Sequence, residues 1–304
     1  FSAGVFSVFN RQLGDNLYSE KEPVSTIAII AIDDKSLQQI GRWPWDRSVH
    51  AQLLDKVKDY ARIVAFDISF FEPSADDEEF AQAVNGTDDV AMVVEYTKFS
   101  LRDGKLYGDE ILKPVIAADY YVGFANIFTD SDGIVRSFPP HIEGVESYDS
   151  LDVAVAEEYM DRAVELGEKP VLINYIGPPG SFPYYSYSDV INDRIGLSAF
   201  NGKILLVGAT APDLRDIHLT PVSNTEMPGA ELHANAIQTI LTGDFINYQD
   251  PGSVILAIFL LAIIAGLVIY RLRLILSTAV FIFLAILYLV VAVLAFDMGT
   301  ILNI

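Results

Sequence analysis

The chain contains no cysteine, so disulfides, thiolate metal sites and cysteine nucleophiles are excluded together. It is also poor in positive charge: 20 Lys and Arg stand against 41 Asp and Glu in 304 residues. Such a surface repels phosphate backbones and anionic headgroups, which excludes nucleic-acid binding and a polybasic membrane patch. Acidity of this degree serves solubility, or a neutral or cationic partner. Catalytic templates are missing too. There is no Gly-x-Ser-x-Gly elbow, no phosphate loop ending in Lys-Ser or Lys-Thr, no His-Glu-x-x-His and no Asp-x-Asp strand end. His50, His141, His218 and His233 are scattered.

Charge is nearly absent from the last fifth of the chain. From Pro251 to Ile304 the charged residues are Arg271, Arg273 and Asp297, which leaves a formal charge of −22 on positions 1–250. Val254 to Tyr270 is an uncharged run of 17 residues and Leu274 to Phe296 one of 23, against the roughly 20 that cross a hydrocarbon core as a helix. Spans are expected at about 253–270 and 274–296. Arg271 and Arg273 place the loop between them in the cytoplasm by the positive-inside bias. Residues from about 10 to 250 then lie outside. Asp297 to Thr300 reads as a turn, with a third span starting at about 300. Phe1 to Phe9 is apolar without a charged start, so positions 1–18 are expected to be the end of a first membrane helix and a connector. The lipid bilayer is thus an expected partner.

Positions 19–250 read as one α/β domain with a mixed, mainly parallel sheet, flanking helices and the membrane helices after it. Val24 to Asp33 and Ala61 to Phe70 are β-branched apolar runs without clean alternation, the pattern of strands buried on both faces. Between them, Asp46 to Tyr60 has helical spacing with Asp46 as N-cap, completing a parallel crossover unit. Shorter strands are expected at Val90–Tyr96, Tyr121–Ala125 and Val171–Tyr175, and another buried one at Lys203–Gly208. Helices are expected at Asp149–Leu166 and Ala230–Leu241. Gly177 to Tyr187, rich in Gly, Pro and aromatics, is expected to be a loop packed by its own Phe182, Tyr184 and Tyr185.

The candidate ligand-binding residues sit at strand ends and turns. Asp33-Asp34 and Asp67 follow two of the strong strands, and open parallel sheets bind ligands outside the carboxyl ends of strands. The alternative is that Asp33 and Asp67 cap helices or brace loops. Asp216 and His218 lie two apart in a loop; with Asp33 and Asp67 they make either an oxygen-rich cation site or, the better reading, an internal polar brace. Gly41 to Arg47 holds both tryptophans, Trp43 and Trp45, with Arg47 beside them, and either walls a pocket or seals the core. Thr129 to Arg136 opens like a calcium loop, but the required glutamate is replaced by His141, so a tight turn around Gly133 is expected. No catalytic residue, metal ligand or cofactor is assigned in this region.

Taken together, Ile27–Val57, Ala61–Asp77, Asp130–Pro139 and Gly202–Leu241 resemble the type-two CHASE domain, the cyclase/histidine-kinase-associated sensory extracellular module. The resemblance implies an extracytoplasmic sensor of a multi-pass bacterial plasma-membrane receptor, responding to an unknown ligand or protein. Its output would be a class III nucleotide cyclase, or else a histidine or serine/threonine kinase, lying outside these residues. Mg and ATP would belong to that output alone, and a homodimer is expected because such outputs work as dimers. The rival readings are a membrane-anchored binding or scaffold protein, and an extracytoplasmic hydrolase using Asp33, Asp67, Asp216 and His218 with a metal.

Overall fold

The computed structural model describes residues 11–102 and 105–302, which divide into a unit spanning Ser19–Gly243 and another formed by the described residues up to Tyr18 and from Asp244 onward. The larger unit begins with β1 (Ile27–Ile32), a run of six apolar residues buried on both faces. Successive side chains of a strand point to opposite faces, and β1 accordingly feeds two cores. Ala28, Ile30 and Ile32 pack with Leu53, Val57, Phe80 and Val84, while Ile27 and Ile29 pack with Leu151, Val155, Ala234 and Ile237.

Those two cores define three layers. After β1 come α1 (Asp34–Ile40), α2 (Arg47–Val57), β2 (Ile63–Asp67) and α3 (Asp77–Asn85), which supply helices to the first face. Next, β3 (Val90–Arg102) pairs in parallel with β2 through Val90–Met92 and with β5 (Tyr121–Phe124) through Ala91–Val94. Its second half leaves this arrangement and forms an antiparallel hairpin with β4 (Lys105–Leu112). Three short strands follow: β6 (Ser137–Phe138), β7 (His141–Gly144) and β8 (Tyr148–Asp149). Ser150 then caps α4 (Leu151–Met160) by accepting from the Val153 amide at 3.2 Å.

Beyond β9 (Val171–Leu172), β10 (Tyr184–Ser186) pairs in parallel with β1, so the segment expected to be all loop contributes an edge strand. Nor is that segment packed only by its own rings. Phe182 enters the second core, and its backbone is held by a helix far along the chain. After α5 (Tyr187–Ile191), β11 (Ile204–Ala209) inserts between β1 and β2 in parallel register with both. A hairpin of β12 (Ile217–Thr220) and β13 (Ser223–Pro228) leads into α6 (Gly229–Thr242), which lies on the second face with α4. The sheet is therefore mixed and parallel at its centre, in the order β10-β1-β11-β2-β3 with β5 also against β3.

Residues Arg11–Asp15 of the second unit are helical. The expected membrane tail at Phe1 to Asn10 lies outside the described residues. After β14 (Asn247–Tyr248), Asp250 caps α7 (Pro251–Arg271) by accepting from the Ser253 amide at 3.0 Å, and α8 (Leu274–Asp297) follows. Both helices are long and apolar enough to cross a membrane. Their large side chains face outward, with Ile255, Phe259, Ile275 and Phe283 all exposed, as a lipid-facing pair requires. The chain continues at β15 (Thr300–Ile301), extended and paired with β14. Where a third span was expected to start, these residues are not helical.

Candidate functional site

The parallel strands end on a common edge, and a cleft of about 500 Å³ opens there. Its floor comes from the carboxyl ends of β2 and β11, through Asp67 and Ala209, from Val94, where the pairing of β3 with β5 ends, and from Ala125 just after β5. Its walls come from the turn before α2 and the loop before β12. The turn contributes Trp43, Trp45 and, inside the helix, Arg47 and His50; the loop contributes Leu214 and Asp216, and β12 itself His218. This is the place where parallel sheets bind small molecules, and the volume falls in their range.

The aromatic wall is held rigidly. The Trp45 indole donates to the Gly41 carbonyl at 2.9 Å and meets Trp43 edge-on at 5.2 Å and Tyr187 at 4.9 Å. Arg47 is 8% exposed. It pairs with Asp77 at 3.3 Å, donates to the Glu72 carbonyl at 3.0 Å and lies 4.6 Å over the Phe70 ring. His50 is buried among Trp43, Phe66, Phe70 and Phe80. Burial, aided by the Arg47 charge, pushes its pKa down to about 3 and keeps it neutral. Tyr187 Oη lies 3.2 Å from the Val49 carbonyl and 3.0 Å from His50 Nδ1, and its single proton can serve either acceptor. The other ring nitrogen, Nε2, has no partner among the described residues.

The opposite wall is a seam of carboxylates and imidazoles. Burial raises the Asp67 carboxyl to about 7; His233 pulls it down, while Asp216 and Asp152 push it further up. Asp216 lies in hydrogen-bond contact with His218 Nε2 at 3.1 Å. Behind them His233, on α6, holds Asp152 of α4 at 2.7 Å. Burial pulls the His233 imidazole down, but Asp152 and Asp67 outweigh it and lift the pKa to about 10.

A search by family shows that residues 1–269 match the CHASE2 domain. The chain belongs to the CHASE2 domain family. No curated relative and no solved structure matches it. CHASE2 domains are extracellular sensor modules of signalling receptors, and the two apolar helices here fit a membrane anchor.

In this CHASE2 domain, six of the sequence candidates converge on the cleft: Trp43, Trp45, Arg47, Asp67, Asp216 and His218. Asp33 and Asp34 do not line it. Asp33 is the N-cap of α1, accepting from the Ser36 amide at 2.8 Å and from the Ser36 and Ser186 hydroxyls, and Asp34 is exposed in the first turn. The set weighed for a cation is thus split. Among the described residues, no group of three or more His, Asp or Glu has metal-holding geometry. The calcium-like loop is occupied from within, since the buried Arg136 pairs with Asp130 at 2.7 Å and Asp132 at 2.9 Å while Gly133 turns the chain at φ +82°.

Sequence reasoning missed four residues that shape the site. His50 and His233 look like isolated histidines in sequence, yet both lie on buried helix faces. Their signal is polar residues at core-facing positions of apolar helices, where burial without function is costly. Glu95 and Asn126 complete the rim. Asn126 is locked to the Tyr96 backbone by bonds of 2.8 and 2.9 Å, which leaves Glu95 as the free carboxylate on that side.

Proposed function

We propose that the cleft is the ligand site of an extracytoplasmic sensor in a multi-pass bacterial plasma-membrane receptor, and that its occupancy controls a class III nucleotide cyclase as output. One observation carries this reading. The polar seam of the cleft runs directly into α6, the last helix before the membrane-spanning segments in sequence. His233 of α6 interacts with Asp67, a cleft residue, and the Gly229 amide at its start donates to the Asp216 carbonyl at 3.0 Å. A ligand that contacts Asp67 or Asp216 therefore acts on the N-terminal half of α6, and a two-state receptor needs such differential contact. The receptor works as a homodimer on this reading, with residues of about 10–250 outside the cytoplasm.

The test uses full-length receptor in native membranes, with cyclic nucleotide formation and protein phosphorylation both recorded as conditioned medium is titrated. Nucleotide formation that depends on the medium is expected; phosphotransfer instead would assign a kinase output. Trp43→Ala should shift the dose response by about tenfold or more, because the indole is a large part of one wall. An unchanged dose response in a stably folded variant removes the cleft from the mechanism.

A further inference from the structure

The uncommitted charge lining the cleft is acidic, and one buried hydrogen bond there is unmet. Asp67, Asp216 and Glu95 bring carboxylates to it, and Arg47 is already committed to Asp77, Glu72 and Phe70. An anionic ligand would find no available guanidinium there and would face three acidic groups. At the other wall, His50 is 1% exposed, lines the cleft and leaves Nε2 unpartnered. An unmade buried bond of this kind costs free energy unless a ligand supplies the missing group. A hydroxyl supplies it whichever ring nitrogen carries the proton, since an O–H both donates and accepts. The indoles of Trp43 and Trp45 offer apolar surface and ring faces that attract cations.

We infer that the ligand is a small organic ammonium ion carrying a hydroxyl, with the ammonium group against Asp216, Asp67 and Glu95, the hydroxyl on His50 Nε2, and the carbon skeleton against Trp43 and Trp45. This rests on the reading of the cleft as the ligand site. It goes further by naming the chemistry that the site accepts.

The chain carries two tryptophans, and both line the cleft, so tryptophan emission of the 304-residue protein in detergent or bilayer discs reports occupancy directly. The probes are four non-fluorescent compounds of one size: trans-4-aminocyclohexanol, cyclohexylamine, trans-1,4-cyclohexanediol and trans-4-hydroxycyclohexanecarboxylate. Saturable emission changes are expected with both amines, at least about tenfold weaker binding with the diol and none with the carboxylate. Glu95→Gln, an exposed change that leaves the core intact, should weaken both amines. His50→Phe should bring aminocyclohexanol down to the affinity of cyclohexylamine and leave the latter unchanged.

Preference for the diol or the carboxylate overturns the ammonium assignment while leaving the cleft as the ligand site, and so does the absence of any saturable response to the amines. Equal loss of both amines in His50→Phe overturns the hydroxyl assignment. Failure of the cleft itself reads out separately, as an unchanged signalling dose response in Trp43→Ala.

Discussion

Asp67→Asn tests the electrostatics of the seam, because it removes a charge that the fold resists at nearly constant shape. The Asp67 pKa stands at about 7 in the folded protein against an ordinary 3.8. Between those two values the native state holds a proton that the unfolded chain has lost, so stability falls as pH rises through this window and the loss is complete above about 7. Three pH units at 1.36 kcal/mol each give about 4 kcal/mol, and water reaching the half-buried carboxyl from the cleft reduces this to about 2 kcal/mol. The asparagine variant has no proton to lose. It should match the wild type at pH 4 and exceed it at pH 8, by roughly 4–8 °C in Tm for a unit of this size. His233 sets the upper end of the window. Its raised pKa of about 10 gives stability that is complete below 6.5 and lost as pH rises through 10, and removal of Asp67 moves that loss to lower pH. The comparison therefore belongs at pH 8. Heating the protein in detergent while following Trp43 and Trp45 emission gives both profiles, and parallel profiles for the two proteins would refute the argument.

Other substitutions probe the helix that the seam touches. Glu231→Ala removes the acceptor for the Gly180 and Ser181 amides at 2.9 Å and for the Tyr184 hydroxyl at 2.7 Å; these donors are partly within reach of water, so at about 1 kcal/mol each a loss of about 2–4 kcal/mol is expected in denaturant titration, and less for Glu231→Gln. In Gly208→Ala, the new methyl would lie 2.8 Å from Ala230 Cβ and force α6 away from β11. Overpacking of this kind costs about 1–3 kcal/mol, measurable as a lower Tm, and basal signalling of the full-length receptor should shift with it.

The buried strands were legible because their composition leaves no other solution. IAIIAI and IVAF sit wholly inside, and their apolar runs without alternation state as much. Strands on the margin were not legible. β4 reads KLYGDEIL with charged residues throughout, and β10 follows a Gly-Pro segment; each is held by its neighbour's backbone more than by its own side chains. The helix expected to reach Leu166 stops at Met160, where Asp161 turns left-handed at φ +52°. At the site, residues at strand ends and the tryptophan turn announced themselves by position and type. Asp33 shares that position with Asp67 but has a different fate, because α1 begins at once after β1 and takes its carboxylate as a cap, whereas no helix follows β2 directly. That distinction is a property of the loop, and the strand pattern does not contain it.

The way α6 is anchored limits how it can respond. Besides Glu231, its Asn235 accepts from the Ile176 amide at 3.0 Å, Thr239 from the Asn174 amide at 3.0 Å and Gln238 from the Val24 amide at 2.9 Å. These bonds bind the helix along its length to residues 174–182 and to the chain entering β1. Sliding α6 alone would break several buried bonds at once, so a ligand-driven change must carry the helix and the 174–182 segment as one body. At its far end the helix does not run on into α7. It stops at Gly243, whose left-handed φ of +70° returns its amide to the Thr239 and Ile240 carbonyls, and residues 244–250 intervene before α7. Helical twist is therefore not transmitted through a continuous rod. What α6 can pass on is the position of its last turn, which sets where the connector begins, and a signal of that kind needs only the small displacement that occupancy of a carboxylate-lined cleft can drive.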